Sequence, residues 1–191
     1  AQLKRWQDEG YRGLRLAVNV SGSQFRHPGF PQWLDQVLTQ AQVDSRQLVL
    51  EITESVLMES REVIQHSIAE TKATGVGFAL DDFGTGYSSL GYLKEFPVDV
   101  VKIDRSFVKD CPNNLSDCRL VEAIIHMAHS LDLSVTAEGV ETASQQNFLK
   151  RLGCDYLQGY YISHPLPVYR FNELIGHAEA DSLSIGLPQA K

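Results

Sequence analysis

The sequence predicts an α/β fold, a TIM-like (β/α)8 barrel that is incomplete here, with about six of the eight βα units. Short runs rich in Val, Ile and Leu alternate with longer amphipathic stretches, the pattern of a parallel sheet faced by helices. Each of those short runs carries, or is followed by, a polar residue near its C-terminal end: Asn19, Glu51, Asp81 with Asp82, Lys102, Glu138 and Gln158. A barrel gathers the C-terminal ends of its strands around one mouth, whereas an open sheet spreads them along an edge. No G-x-G-x-x-G follows the first strand, which weighs against a dinucleotide-binding doubly wound sheet.

The elements follow in order. Ala1–Glu9 has helix-forming composition with Leu3 and Trp6 on one face, and Gly10 is its expected stop. Strands are expected at Leu14–Val20, Leu48–Thr53, Gly77–Leu80, Val98–Ile103, Ser134–Ala137 and Tyr156–Ile162. Helices are expected at Pro31–Gln42, Arg61–Thr74, Ser88–Phe96, Ser116–Leu131, Ala143–Leu152 and Val168–His177. Residues 1–177 then form one partial domain, and 178–191, small and polar with Pro188, a flexible tail. A complete barrel takes about 250 residues. The first helix lacks a cap and an initiator Met, so the chain is expected to be a fragment whose two missing βα units precede Ala1.

Composition narrows the class of partner. Of 191 residues, 43% are hydrophobic and 21% charged, the profile of a globular domain with a real core. Seventeen basic against twenty-four acidic residues give a net charge of −7, which excludes a broad footprint on duplex nucleic acid. No apolar run approaches the about 20 residues of a membrane span, so no membrane contact is expected from this segment. Cys111, Cys118 and Cys154 are few and unpatterned, as suits a reducing compartment. A cytoplasmic domain is expected, with a membrane anchor in the parent protein left open.

The polar strand ends make a consistent set of ligands. They hold four carboxylates, the amide oxygen of Asn19, the ammonium of Lys102 and the amide of Gln158, with no His or Cys. Hard oxygen donors suit Mg²⁺ or Mn²⁺ and disfavour zinc. Two metals about 3.5–4 Å apart form the usual clamp for in-line phosphodiester hydrolysis. Lys102 would offset charge building on the phosphate oxygens. Taken singly, an acidic residue at a strand end is more often a helix cap than a ligand; the argument rests on all of the strands doing it together. The DFGTGYSS run after Asp81 reads as a loop over the mouth or as a tight βα turn ending in a Ser cap. His126 and His129, three apart in a helix, lack a partner in metal spacing.

Longer strings then carry a resemblance. FALDDFGTGYSSL (Phe78–Leu90) is followed by KIDRSFV (Lys102–Val108), AEGVE (Ala137–Glu141) and LGCDYLQGYYISHPLP (Leu152–Pro167), after LEITES (Leu50–Ser55) and VNVSGSQF (Val18–Phe25). Together they resemble the EAL family of bacterial cyclic di-GMP phosphodiesterases, from the first helix to about Ile175. The resemblance implies a (β/α)8 barrel that hydrolyses cyclic di-GMP to linear pGpG with Mg²⁺ or Mn²⁺ in a two-metal site. It implies that Asn19, Glu51 and Asp81 ligate one metal, Asp81 bridges, and Asp82 ligates the second. It further implies that Lys102 and Glu138 position and activate the attacking water and that Gln158 belongs to the same site, binding substrate. Glu54 resembles the glutamate that steadies the DFGTGYSS loop, through which a homodimer is implied. Two departures stand out: the Glu-Ala-Leu motif occurs nowhere in the 191 residues, and His164 stands where the family often has Arg or Lys.

Three functions compete. The first is a phosphodiesterase domain of a larger signalling protein. The second is a catalytically inactive module that binds cyclic di-GMP and signals to a partner protein, motivated by the absent Glu-Ala-Leu strand. The third is a barrel enzyme for another phosphodiester. For this chain by itself little or no hydrolysis is expected, and exposed strand edges favour association between chains.

Overall fold

The computed structural model describes residues 2–58, 61–86, 93 and 95–180. Most of the helix expected at Ser88–Phe96 lies outside them, as do Tyr87–Ser89 of the DFGTGYSS run and residues 181–191 of the expected tail. The chain divides into two compact units, Ala1–Lys102 with Leu131–Leu133, and Ile103–Ser130 with Ser134–Lys191.

In the first unit α1 (Gln2–Asp8) leads to β1 (Leu16–Asn19), α2 (Gly22–Phe25) and α3 (Phe30–Ala41), and a 3₁₀ turn (Ser45–Gln47) enters β2 (Leu48–Thr53). Next come α4 (Glu54–Met58), α5 (Arg61–Lys72), β3 (Gly77–Phe83) and β4 (Val100–Ile103), whose last residue falls in the second unit. The second unit continues with α6 (Arg105–Val108), α7 (Leu115–Ser130), β5 (Ser134–Ala137), α8 (Ala143–Arg151), β6 (Tyr156–Leu157) and α9 (Val168–Ala180). Strand order follows chain order, β1 to β4 in the first unit and β5 beside β6 in the second. With six strands and their helices, this is the incomplete TIM-like α/β barrel the sequence predicts.

Parallel pairing fixes what lies beside what. β1 and β2 pair with Asn19 opposite Glu51, and β2 and β3 with Glu51 opposite Ala79 and Thr53 opposite Asp81. Along β2, Leu48, Leu50 and Ile52 are buried while Val49, Glu51 and Thr53 are half-buried, the period-2 alternation of a strand with two unlike faces. Phe25 and Phe78 pack edge to face at 5.8 Å, and Ile64 and Ile68 of α5 are fully buried.

The entering ends of the strands are held by carboxylates. Asp99, just before β4, accepts a hydrogen bond from the Phe78 amide (2.9 Å) and one from Lys72 Nζ at the end of α5 (2.7 Å). Asp155, just before β6, accepts from the Val135 amide (2.7 Å) and lies 2.9 Å from His129 Nε2 near the end of α7. Each carboxylate thus ties the second residue of a strand to a basic side chain from the helix before it. His129 has a structural partner here.

Some elements differ from expectation. β3 continues past Leu80 through Asp81 and Asp82 to Phe83, because the ladder to β2 persists to the Thr53–Asp81 pair. β6 ends at Leu157 and not Ile162: the backbone turns at Gly159, where a Cβ would stand 2.1 Å from the Val140 carbonyl oxygen. α9 runs to Ala180 and takes in the first residues of the expected tail. The short helices α2, α4 and α6 span four or five residues, too few to show a helical period in sequence. α2 nonetheless carries a capping box, Ser21 with Gln24, and α8 another, Thr142 with Gln145.

Gly139 has φ +69°, and a Cβ there would lie 2.4 Å from Arg105 Cβ. Gly139→Ala is expected to destabilise the second unit by at least the about 1–2 kcal/mol of a left-handed residue, read as a lower urea midpoint. Burial pushes the Cys154 thiol up to about 12, and burial together with the neighbouring Cys118 thiol pushes Cys111 up to about 12. An unfolded thiol ionises near about 8.5, so this contribution to stability is complete below that pH and is lost as the pH rises toward 12. The urea midpoint is expected to fall between pH 8 and pH 10.5 and to fall less steeply in Cys154→Ala.

Candidate active site

The centre of the candidate site lies within the first unit, at the C-terminal ends of its strands. Lys102 on β4 is buried, its side chain 6% exposed, and its ammonium lies 2.8 Å from Glu51 Oε1 and 2.9 Å from Asp81 Oδ1. The two carboxylates are themselves only 11% and 14% exposed. They converge because of register: Glu51 pairs with Ala79, and Asp81 stands two residues beyond Ala79, hence on the same face. Asn19 pairs directly with Glu51 and shares that face, on a strand whose residues are exposed.

The neighbouring positions differ. Asp82 is exposed and has φ +54°, a left-handed conformation uncommon for a side-chain-bearing residue but tolerated by Asp. Its amide donates to Asp81 Oδ1 at 3.1 Å, and its carbonyl accepts from the Thr85 hydroxyl at 2.8 Å, which fixes the turn out of β3. Glu54 is buried at the start of α4, and its carboxylate carbon lies 3.2 Å from where a Cβ on Gly86 would stand. The glycine therefore lets the DFGTG backbone close onto that carboxylate. The sequence signal for this close approach is the G-x-G of Gly84–Gly86 within the DFGTGYSS run.

Glu138 and Gln158 belong to the second unit. The Glu138 amide donates to the Ile103 carbonyl (3.1 Å), and Gln158 follows β6 with its amide on Ala137 (2.9 Å) and its carbonyl accepting from Val140 (3.0 Å). Glu138 is half-buried and Gln158 exposed.

The donor set of the first unit fits a hard divalent cation. Two carboxylates from adjacent strands already share one cationic group, the Lys102 ammonium, and an amide oxygen stands in register beside them. Among the described residues no three His, Cys, Asp or Glu side chains converge as a ready cage; Glu51, Asp81 and Asn19 are the residues that could hold such a cation. Among the same residues no helix is long and apolar enough to cross a membrane.

Comparison with known proteins places this geometry. The family model of the EAL domain matches residues 1–165. The chain belongs to the EAL domain family. An EAL relative, the bifunctional diguanylate cyclase/cyclic di-GMP phosphodiesterase MucR of Pseudomonas aeruginosa, is 41% identical over 166 residues, covering 87% of this chain and 24% of MucR. The cyclic di-GMP phosphodiesterase PdeR of Escherichia coli is 39% identical over 170 residues, 89% of this chain and 26% of PdeR. The chain thus spans about a quarter of the length of these curated relatives.

Solved EAL structures agree. The MucR phosphodiesterase in complex with c-di-GMP superposes with a TM-score of 0.85 at 40% identity, over 89% of this chain and 69% of that one. The EAL domain of Mycobacterium smegmatis DcpA gives 0.88 at 37% identity, over 93% and 80%. The manganese/cyclic di-GMP complex of Klebsiella pneumoniae BlrP1 gives 0.75 at 28% identity, over 82% and 40%.

Removing the ammonium would leave two buried carboxylates facing each other. Lys102→Met is expected to cost about 3–5 kcal/mol in urea unfolding at pH 7. In a Glu51→Gln, Asp81→Asn background the same substitution is expected to cost far less, and an equal loss in both backgrounds would show that the ion pairs carry none of it.

Proposed function

We propose that this EAL domain hydrolyses cyclic di-GMP to linear pGpG with Mg²⁺ or Mn²⁺ held in a two-metal site. The observation that carries the proposal is the convergence of Glu51 and Asp81 on one cation at the strand ends, beside Asn19. Asn19, Glu51 and Asp81 would hold one metal and Asp81 with Asp82 the second. When bound, such ions polarise a phosphodiester and lower the pKa of bound water.

The remaining roles fall to the chain's own groups. Lys102, whose ammonium sits between Glu51 and Asp81, is assigned to offset the negative charge that builds on the phosphate oxygens. Glu138, by its place in AEGVE, is assigned to orient the attacking water and accept its proton. Gln158, in LQGYY, is assigned to bind substrate through its amide. Glu54 is assigned to hold the DFGTGYSS loop, and through it a homodimer contact.

The test is product analysis on the full-length protein with Mn²⁺. pGpG release is expected, abolished by EDTA and reduced about 10²-fold or more in Glu51→Gln and in Asp81→Asn. Binding of cyclic di-GMP with no product at any metal concentration would overturn the phosphodiesterase reading and make the domain a receptor.

A further inference from the structure

The polar face of β2 continues past Glu51. Thr53, two residues on and therefore on the same face, is the register partner of Asp81 across the β2–β3 ladder, and both are half-buried. The Thr53 and Ser55 hydroxyls lie 3.2 Å apart, where the chain leaves β2 and enters α4. Such a pair holds two hydrogens and spends one on the bond between its members. With Ser55 as donor, the Thr53 hydrogen is left for an acceptor, and the neighbour in register is a carboxylate. Asp81 meets the Lys102 ammonium (2.9 Å) and the Asp82 amide (3.1 Å) through the same oxygen, Oδ1. Oδ2 takes part in neither bond.

A carboxylate that binds a metal is oriented by the hydrogen bonds its own oxygens accept, and these outer partners matter to affinity nearly as much as the ligands do. The bonds from Lys102 and Asp82 hold Oδ1 but do not by themselves set where Oδ2 points. We propose that Thr53, steered by Ser55, is a positioning residue for Asp81: its hydroxyl donates to the carboxylate and sets the orientation in which that carboxylate meets a divalent cation. The role differs from that of Glu54, next in the chain, whose carboxylate closes against Gly86. The inference rests on the metal-dependent reading above and adds to it a residue that acts only through Asp81. A threonine between a strand and a helix can also cap the helix. Capping would support the folding of α4 and leave metal affinity alone, whereas donation to Asp81 acts on that affinity.

Mn²⁺ titration of the full-length protein without nucleotide, read by the electron paramagnetic resonance of the free ion, tests it, counting the sites that Asp81→Asn removes. Thr53→Val and Thr53→Ala are expected to weaken Mn²⁺ binding about 10- to 100-fold and Thr53→Ser to stay within about threefold of the parent. Ser55→Ala is expected to weaken it by less than Thr53→Val. Parental Mn²⁺ affinity in the folded Val and Ala variants overturns the inference and leaves Thr53 a cap of α4, seen only as a lower urea midpoint. A Ser variant as weak as Val overturns it too, since the loss would then come from packing of the methyl group. Mn²⁺ binding that depends on the Thr53 hydroxyl, without pGpG release, would overturn the phosphodiesterase reading and leave this inference standing. A parent protein that binds no Mn²⁺ would overturn both.

Discussion

An ammonium group taken out of water needs carboxylates held in place around it, and in this chain Lys102 imposes that demand on the strands beside it. Its partners come from β2 and β3, so the two strands must pair with Glu51 opposite Ala79 for both carboxylates to reach the same nitrogen. A slip of one residue would carry one of them to the other face. The same slip would drive Leu50 or Phe78 out of the core. Hydrophobic packing and charge pairing therefore select one register, and that register sets Asn19 beside Glu51 as well.

Carboxylates do different work at the two ends of these strands. At the entering ends, Asp99 and Asp155 accept from backbone amides and from Lys72 and His129, so their lone pairs are spent on tying helix to strand. At the leaving ends, Glu51 and Asp81 meet the Lys102 side chain, each through one oxygen. The division matches barrel proteins at large, with chemistry at one end of the strands and stability at the other. The duplication of the clamp, each time on the second residue of a strand and on the helix before it, shows one βα solution used twice.

Much of this was legible in the amino acids. Leu48–Thr53 and Ser134–Ala137 could be bounded to the residue, because β-branched runs there stop at clear polar or capping residues. Asp81 and Asp82 are poor strand formers, so the sequence pattern ends β3 at Leu80; only the ladder to β2 extends it. β6 shows the opposite: Tyr160, Tyr161 and Ile162 favour a longer strand, but the close approach of Gly159 to Val140 bends the chain first. The fit of Glu54 against Gly86 depends on a close approach that spacing alone does not reveal.

The sequence by itself determined the α/β class, the family and the chemical character of the strand ends, because those follow from periodicity and from residue types in fixed motifs. It could name Asn19, Glu51, Asp81 and Lys102 without saying which would touch. Contact is a matter of register and of side-chain reach between strands far apart in the chain. Only the tertiary structure decided that Glu51 and Asp81 share the Lys102 ammonium, that Asp82 turns outward on a left-handed backbone, and that Tyr160 stands exposed on His164. Each of these rests on non-local packing, which no local pattern encodes.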